Sequence, residues 1–159
     1  MWTLEKLLTR SVLPSMTPVE AALLKAWATD HGLGFSGFEL NVRLGTGIDP
    51  GETFDAPTRK SAIALTKLRA DLVAFSGPDA TIVEAKSRAT TAVVGQLVSY
   101  RELLTGTFPH VQQIALVVAA TRSAPDVARV LATLGITLYL YPAIADRFAD
   151  ELDALDRLT

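Results

Sequence analysis

The 159-residue chain contains no cysteine and only two histidines, His31 and His110. The absence of cysteine excludes disulfides, cysteine-ligated zinc sites and iron–sulfur clusters. His31 lies at a predicted helix end and His110 in a loop beside a proline, so neither is a candidate for catalysis. Any metal that the chain binds would therefore be a hard cation that prefers oxygen ligands.

The sequence also lacks the segments that would direct it into or across a membrane. No stretch approaches the ~20 apolar residues that a membrane-spanning helix needs. Residues 1–10 have neither the uninterrupted apolar core nor the cleavage signature of a signal peptide. We therefore expect a soluble, cytoplasmic protein with no membrane partner.

Apolar residues are abundant, and the charges of the two signs are nearly balanced. Hydrophobic residues make up 49% of the chain, which argues against disorder, and the length suits one domain with a sizeable core. The net charge of −2 gives no overall case for a polyanionic partner. Outside the acidic segment 146–159, however, 13 basic residues face 12 acidic ones, and residues 59–69 hold four basic residues and no acid. A local basic patch is one interpretation, and a solvated charged face is the other.

Hydrophobic periodicity and helix-breaking residues predict an alternation of helices and strands. Helices are predicted over residues 3–12, 17–30, 90–104, 123–135 and 143–158, and strands over 38–44, 71–75, 81–86, 114–120 and 136–141. Residues 45–57 are predicted to form a loop, and residues 58–68 are ambiguous between helix and strand.

This order of elements is typical of an α/β fold with a mixed central β-sheet flanked by helices. We expect a single domain over residues 1–159. It would consist of N-terminal helices in 1–31, a core over 36–141 and a C-terminal helix over 143–158.

Two carboxylates and a lysine on neighbouring predicted strands form the most informative pattern. Side chains alternate along a strand, so Glu84 and Lys86 point to the same face, and Asp71 joins them if the two strands form a hairpin. Two carboxylates suit Mg²⁺, and a lysine beside them can hold a water or neutralise a phosphate. The alternatives are a surface ion pair for Glu84 and Lys86, and a carboxylate fixed by turn amides or by Arg69 for Asp71.

This trio resembles the motif of the PD-(D/E)xK nuclease superfamily, in its RecB-like and Holliday-junction-resolvase-like branch. Asp71, Glu84 and Lys86 match the two acids and the lysine, with twelve residues between Asp71 and Glu84. Ala70 stands where the name-giving proline would be, a position that carries no chemistry.

A second match lies in the predicted helix over residues 90–104. Gln96 and Tyr100 resemble the Q-x-x-x-Y pattern of the RecB-like branch, and residues four apart share one helix face. Gln96 would hold the attacking water or a phosphate oxygen, and Tyr100 would donate to a phosphate. The alternative places Tyr100 in the core with its hydroxyl at the edge, and Gln96 in solvent.

The resemblance covers residues 71–104 in detail and the rest of the chain by element order. It implies a restriction-endonuclease-like core over residues 36–141 that binds Mg²⁺ or Mn²⁺ through Asp71, Glu84 and the backbone carbonyl of Ala85. Lys86 would orient a water or stabilise charge on the phosphate.

Glu20 and a set of basic residues complete the expected site. In the family, a glutamate on the first helix helps to bind metal or water, which is one interpretation of Glu20, and the capping box that begins at Thr17 is the other. The residues expected to contact nucleic acid are Tyr100, Arg88, Arg101, Lys67 and Arg69, with Ser87 as a further candidate.

The expected function is metal-dependent hydrolysis of phosphodiester bonds in nucleic acid, with DNA favoured over RNA. One alternative is a catalytically weak or inactive module of the same fold that binds nucleic acid or serves in assembly. Another is an enzyme that acts on a small phosphate ester. A chain of this size that makes two nicks would need two copies, which suggests a homodimer.

Overall fold

The computed structural model describes residues 1–156 and contains a five-stranded β-sheet with helices on both faces. The strands are β1 (Gly37–Leu44), β2 (Leu68–Ser76), β3 (Asp79–Ala89), β4 (Gln113–Ser123) and β5 (Ile136–Leu140). The helices are α1 (Leu4–Thr9), α2 (Pro18–His31), α3 (Ala56–Thr66), α4 (Ala92–Thr107), α5 (Pro125–Thr133), α6 (Pro142–Arg147) and α7 (Ala149–Asp156), with a 3-10 turn at Gly32–Gly34. Within residues 1–156, no helix has the length and apolar character needed to cross a membrane.

The strands lie in the order β1-β2-β3-β4-β5, so neighbours in sequence are also neighbours in space. Strands β1, β2 and β3 form an antiparallel meander, whereas β4 and β5 run parallel to β3. The parallel connections pass through α4 and α5, as parallel pairing requires a crossover. The predicted α/β fold, with a mixed central sheet flanked by helices, is confirmed.

The sheet separates two hydrophobic cores. The α4-side core joins the sheet to α4 and α5 and includes Val73, Ile82, Val118, Leu97, Leu104 and Leu131. The α2-side core joins the sheet to α1, α2 and the C-terminal helices and includes Leu72, Val83, Val117, Leu7, Leu23, Trp27 and Leu152. Because both faces are covered, the central strands are apolar almost throughout, and a charged residue on them is conspicuous.

Strand β1 exchanges its two faces at Asn41. Phe38 packs into the α2-side core, whereas Val42 packs into the α4-side core, although residues four apart on a regular strand share a face. Asn41 has a φ of 54°, a left-handed conformation that asparagine tolerates better than most residues. Its Nδ2 donates to Oγ of Ser15, which also has a positive φ. The pairings on either side of Asn41 place it opposite Asp71 on β2.

The C-terminal helix predicted over 143–158 is wrong as a single element. The chain forms α6 and α7, separated at Phe148, which has φ −121° and ψ 30°. Ile144, Phe148 and Leu152 all pack against the α2-side core, as expected from their helical spacing of four residues. Residues 157–158 of the predicted helix lie outside the described residues.

The ambiguous stretch 58–68 belongs mostly to α3, which begins inside the predicted loop 45–57. Asp55 caps this helix by accepting a hydrogen bond from the Thr58 amide at 2.8 Å. No residue of α3 is buried.

Candidate active site

The candidate site lies where β2 and β3 separate. The two strands pair from Ser76 and Asp79 to Leu72 and Val83. Beyond that point β2 continues to pair with β1, and β3 continues to pair with β4. This fork leaves backbone groups of both strands without ladder partners at the positions where the predicted acids stand.

Asp71 and Glu84 close the fork with reciprocal hydrogen bonds. Oδ2 of Asp71 accepts from the Ala85 amide at 3.0 Å, and Oε2 of Glu84 accepts from the Asp71 amide at 3.4 Å. Each carboxylate therefore binds the backbone of the opposite strand. The prediction that a hairpin brings Asp71 to Glu84 is thus matched by direct contacts between their residues.

Both carboxyl groups lie in surroundings that disfavour their charge. Glu84 is only 1% exposed, and burial, followed by the charge of Asp71, raises its pKa to about 7 despite the opposing effect of Lys86. Burial also raises the pKa of Asp71, although the hydrogen bond from Ala85 works in the opposite direction. Two neighbouring acids with raised pKa values are typical of sites that hold a cation or move a proton.

Lys86 contributes the positive charge of the site. Its Nζ lies 2.8 Å from Oε1 of Glu84, and its side chain is 29% exposed. Burial alone would lower the pKa of Lys86, but the attraction of Glu84 and Asp71 outweighs burial and raises it. The ammonium group therefore stays charged near neutral pH, and it has access to solvent on one side.

Glu20 caps α2 and lies within electrostatic reach of Asp71 and Lys86. It completes the capping box of α2, because its Oε2 accepts from the Thr17 amide at 2.9 Å and its own amide donates to Thr17 Oγ1 at 3.2 Å. Its charge also raises the pKa values of Asp71 and Lys86, which places it close to the site. The capping box is confirmed, and a role for Glu20 as a metal ligand stays a prediction.

Helix α4 brings Gln96 and Tyr100 towards the acids. Nε2 of Gln96 lies 3.4 Å from the Tyr100 hydroxyl, and Tyr100 is 2% exposed. Burial, followed by the charges of Glu84 and Asp71, raises the pKa of Tyr100. Its hydroxyl therefore keeps its proton at neutral pH and is available as a hydrogen-bond donor.

The basic residues that are predicted to contact nucleic acid lie at different places relative to the site. Arg69 lies near it, since its charge lowers the pKa of Asp71. Arg88 is exposed towards the end of β3, and Lys67 is half-buried between α3 and β2. Arg101 is exposed on α4, where Nε lies 3.5 Å from Oε1 of Glu102.

Ser87 takes part in strand packing, since its carbonyl accepts a hydrogen bond from the Thr121 hydroxyl. This bond joins the backbone of β3 to a buried side chain on β4 beyond the fork. Ser87 therefore has a structural contact through its backbone, and its side chain is half-buried.

The donor atoms at the fork are oxygens, which hard divalent cations prefer as ligands. Asp71 and Glu84 supply carboxylate oxygens, and the Ala85 backbone lies beside Asp71. Within residues 1–156, no group of three or more acidic, histidine or cysteine side chains converges as a metal site. A bound Mg²⁺ or Mn²⁺ would therefore depend on the two acids, a backbone carbonyl and water, a combination that Mg²⁺ accepts.

Two residues near the fork escaped the sequence-based prediction. Arg43 lies directly across from Arg69 in the β1–β2 pairing, and Asn41 lies opposite Asp71. Side-chain alternation predicts that both residues belong to β1. Their partners on β2 follow only when the register of the two strands is also known. The β1–β2 register is the same on both sides of Asn41, and no local pattern in the sequence signals it.

Comparison with known proteins finds weak structural similarity only. No protein-family model and no curated protein matches the chain. Among solved structures, it is similar to a repair endonuclease from Pyrococcus abyssi, with 13% identity, a TM-score of 0.45 and coverage of 82% of this chain and 49% of that one. It is also similar to EndoMS in a complex with dsDNA, with 14% identity, a TM-score of 0.42 and coverage of 84% and 48%.

A third similar structure is a protein of unknown function, with 12% identity, a TM-score of 0.44 and coverage of 76% of this chain and 56% of that one. The chain therefore spans about half the length of the solved structures that it matches. Similarity at this level assigns no activity to the chain. Its function is inferred from the residues of the site.

Proposed function

We propose that this protein is a metal-dependent nuclease of the PD-(D/E)xK type, which hydrolyses phosphodiester bonds in nucleic acid, with DNA favoured over RNA. One observation carries the proposal. Asp71 and Glu84 meet at the fork of two strands, and the Lys86 ammonium lies 2.8 Å from Glu84. A buried acid pair beside a lysine suits Mg²⁺ or Mn²⁺ and a phosphate oxygen.

Each residue of the site has its own role at the scissile bond. Asp71, Glu84 and the Ala85 carbonyl would hold Mg²⁺ or Mn²⁺, which would supply polarisation of the phosphate and a lower pKa for a water molecule. Lys86 is close enough to orient that water or to stabilise negative charge on the phosphate. Tyr100 retains its proton and donates to a phosphate oxygen, and Gln96 orients it through their contact.

Basic side chains around the site hold the substrate through its phosphates. Arg69, Arg88, Arg101 and Lys67 would contact the backbone without reading its sequence, so binding weakens as salt increases. Two copies of the chain, acting as a homodimer, would make the two nicks of a double-strand break.

Cleavage of plasmid DNA and labelled oligonucleotides with Mg²⁺, with Mn²⁺ and with EDTA tests the proposal. Asp71→Asn and Lys86→Ala should each lower the rate by at least ~100-fold, because each removes charge stabilisation at the reacting phosphate. Asp126→Asn is the matched control, since Asp126 is an exposed acid on α5. Equal product from wild type and Lys86→Ala would show that the assigned site is wrong.

A second candidate is a module of the same fold that binds nucleic acid or serves in assembly without cleaving it. The observation in its favour is that Lys86 already forms an ion pair with Glu84, and that no group of three acids converges with them within residues 1–156. Calorimetric titration with Mn²⁺ separates the two candidates. A nuclease loses a binding site on Asp71→Asn, whereas a module gives the same titration before and after the substitution.

A further inference from the structure

Arginines stand at the same end of adjacent strands of the sheet. Arg43 lies near the end of β1, Arg69 near the start of β2 and Arg88 near the end of β3. Because β2 runs antiparallel to both neighbours, these three positions fall at one edge of the sheet. Arg43 is the direct cross-strand partner of Arg69, and Arg88 has the same relation to Arg122 on β4. We refer to Arg43, Arg69 and Arg88 as the arginine edge.

This arrangement is unfavourable for the isolated protein. Like charges directly opposite each other on neighbouring strands destabilise a sheet. All three side chains of the arginine edge are exposed, and within residues 1–156 neither Arg69 nor Arg88 has an ion-pair contact, although the charge of Arg69 also attracts Asp71. Arg43 donates to the Ala64 carbonyl at 3.0 Å, a contact that leaves its charge uncompensated. An external anion with several charges would remove the repulsion.

The fork that holds the acids lies in the middle of the arginine edge. Arg43 and Arg69 stand on the β2 side of the fork, and Arg88 stands on the β3 side. Paired neighbouring strands are ~4.8 Å apart, and β2 and β3 no longer pair beyond the fork, so the edge from β1 to β3 extends over at least roughly 10 Å. One strand of a duplex carries a phosphate about every 3.4 Å along its axis, so this length corresponds to about three or more successive phosphates.

We propose that the arginine edge binds the nucleic-acid backbone on both sides of the bond that is cut, so that the substrate is an internal phosphodiester bond of a polynucleotide. This inference rests on the proposed nuclease function and narrows its substrate. Arg43 and Arg69 hold the phosphate on one side of the scissile bond, and Arg88 holds the phosphate on the other. A terminal bond or a small phosphate ester fills only one side and leaves the arginines on the other side without a phosphate.

Binding experiments test the arginine edge independently of cleavage. In the Asp71→Asn protein with EDTA, fluorescence anisotropy measures the affinity for a labelled 20-nucleotide DNA over a range of salt concentrations. Arg43→Gln and Arg88→Gln should each weaken binding several-fold and reduce the slope of log K against log salt by about one, as expected for one lost phosphate contact. Arg43→Lys should restore most of the slope.

Arg129→Gln provides the matched control, since Arg129 is an exposed arginine on α5 that pairs with Asp126. Its slope should equal that of the Asp71→Asn protein. Equal slopes for the edge variants and this control would overturn the proposal.

Cleavage experiments test the position of the bond. Circular single-stranded DNA has no ends, so the wild-type protein with Mg²⁺ should linearise it, and a dinucleotide should be cut at least ~100-fold more slowly because it fills one side of the fork. Release of terminal nucleotides alone, with circular DNA left intact, would overturn the inference. Arginine-dependent binding without any cleavage would support the arginine edge and contradict the nuclease function, so the two failures are distinguishable.

Discussion

Neighbouring groups shift the pKa of Glu84 in opposite directions. Lys86 lies within 2.8 Å and favours the ionised carboxylate, whereas burial and the charge of Asp71 favour the protonated form. The second group of effects prevails, because Glu84 is almost completely buried and Lys86 is partly open to solvent. A single lysine therefore does not neutralise the pair of acids, and the site retains an affinity for further positive charge.

The raised pKa of Glu84 predicts a loss of stability as pH rises. Its pKa increases from 4.5 in a model peptide to about 7 in the fold. Between these values the folded protein binds more protons than the unfolded chain, so the free energy of unfolding falls with increasing pH by at most about 3 kcal/mol. Urea denaturation in EDTA at pH 5 and pH 8 measures this fall in the free energy of unfolding. Glu84→Gln should remove most of the fall.

The control for this measurement is Asp126→Asn, which should preserve the full pH dependence because Asp126 is exposed. If Glu84→Gln and wild type lost the same free energy of unfolding between pH 5 and pH 8, the carboxyl group of Glu84 would not be the source.

The central acids could be predicted from the sequence, but their surroundings could not. Asp71, Glu84 and Lys86 follow from strand alternation and one tight turn, both of which are local signals. The arginine pair across β1 and β2 depends instead on the register of two strands that are separated in sequence by α3. Long-range contacts of this kind leave no periodic trace in the sequence.

In the described part of the chain, the longer of the two helices without a buried residue is α3, the other being α6. The contacts that hold α3 include Arg43, which donates to the Ala64 carbonyl at 3.0 Å, and the Ile48 amide, which donates to the Thr66 hydroxyl at 2.6 Å. Its Leu65 is 79% exposed. A helix with few buried apolar contacts is expected to open more easily than α2 or α4. Helix α2 was predictable from its capping box and α4 from its apolar stripe, whereas α3 has neither a capping box nor a buried stripe.

Gly47 gives a way to test how α3 is attached. A Cβ at Gly47 would lie 2.1 Å from the Ile63 carbonyl oxygen, and this glycine has a φ of +73°. Gly47→Ala should therefore displace α3 and accelerate hydrogen exchange of its amides, with little change in α2 and α4. Exchange measured by mass spectrometry would detect this difference between the helices.

Gly51 supplies the comparison, because its φ is +99° but no atom lies within 4 Å of a Cβ placed there. Gly51→Ala should show only the strain of a left-handed residue, roughly 1–2 kcal/mol, and leave α3 protected. Similar exchange of α3 in the two variants would attribute the effect to backbone strain instead of the contact with Ile63.

For the protein as a whole, like charges are concentrated in two neighbouring places despite a net charge of only −2, and Lys86 and Arg69 compensate the acids only in part. Asp71 and Glu84 lie at the fork, and the arginine edge has members on both sides of it. Both sets of like charges weaken the folded state when the protein is alone. Cations should therefore stabilise the fold through the acids, and polyanions should stabilise it through the arginines.

The response of thermal stability to Mg²⁺ tests this view without any substrate. A ligand that binds only the folded state adds RT ln(1 + [L]/Kd) to its stability, or about 1.4 kcal/mol at ten times Kd, which raises Tm by roughly 3–6 °C for a chain of this size. The rise should be larger at pH 8 than at pH 6, since Glu84 must lose its proton to bind the ion and its pKa is about 7. Asp71→Asn should abolish the rise, and Asp126→Asn should preserve it. A Tm that responds to Mg²⁺ equally in wild type and Asp71→Asn would place the cation elsewhere on the protein.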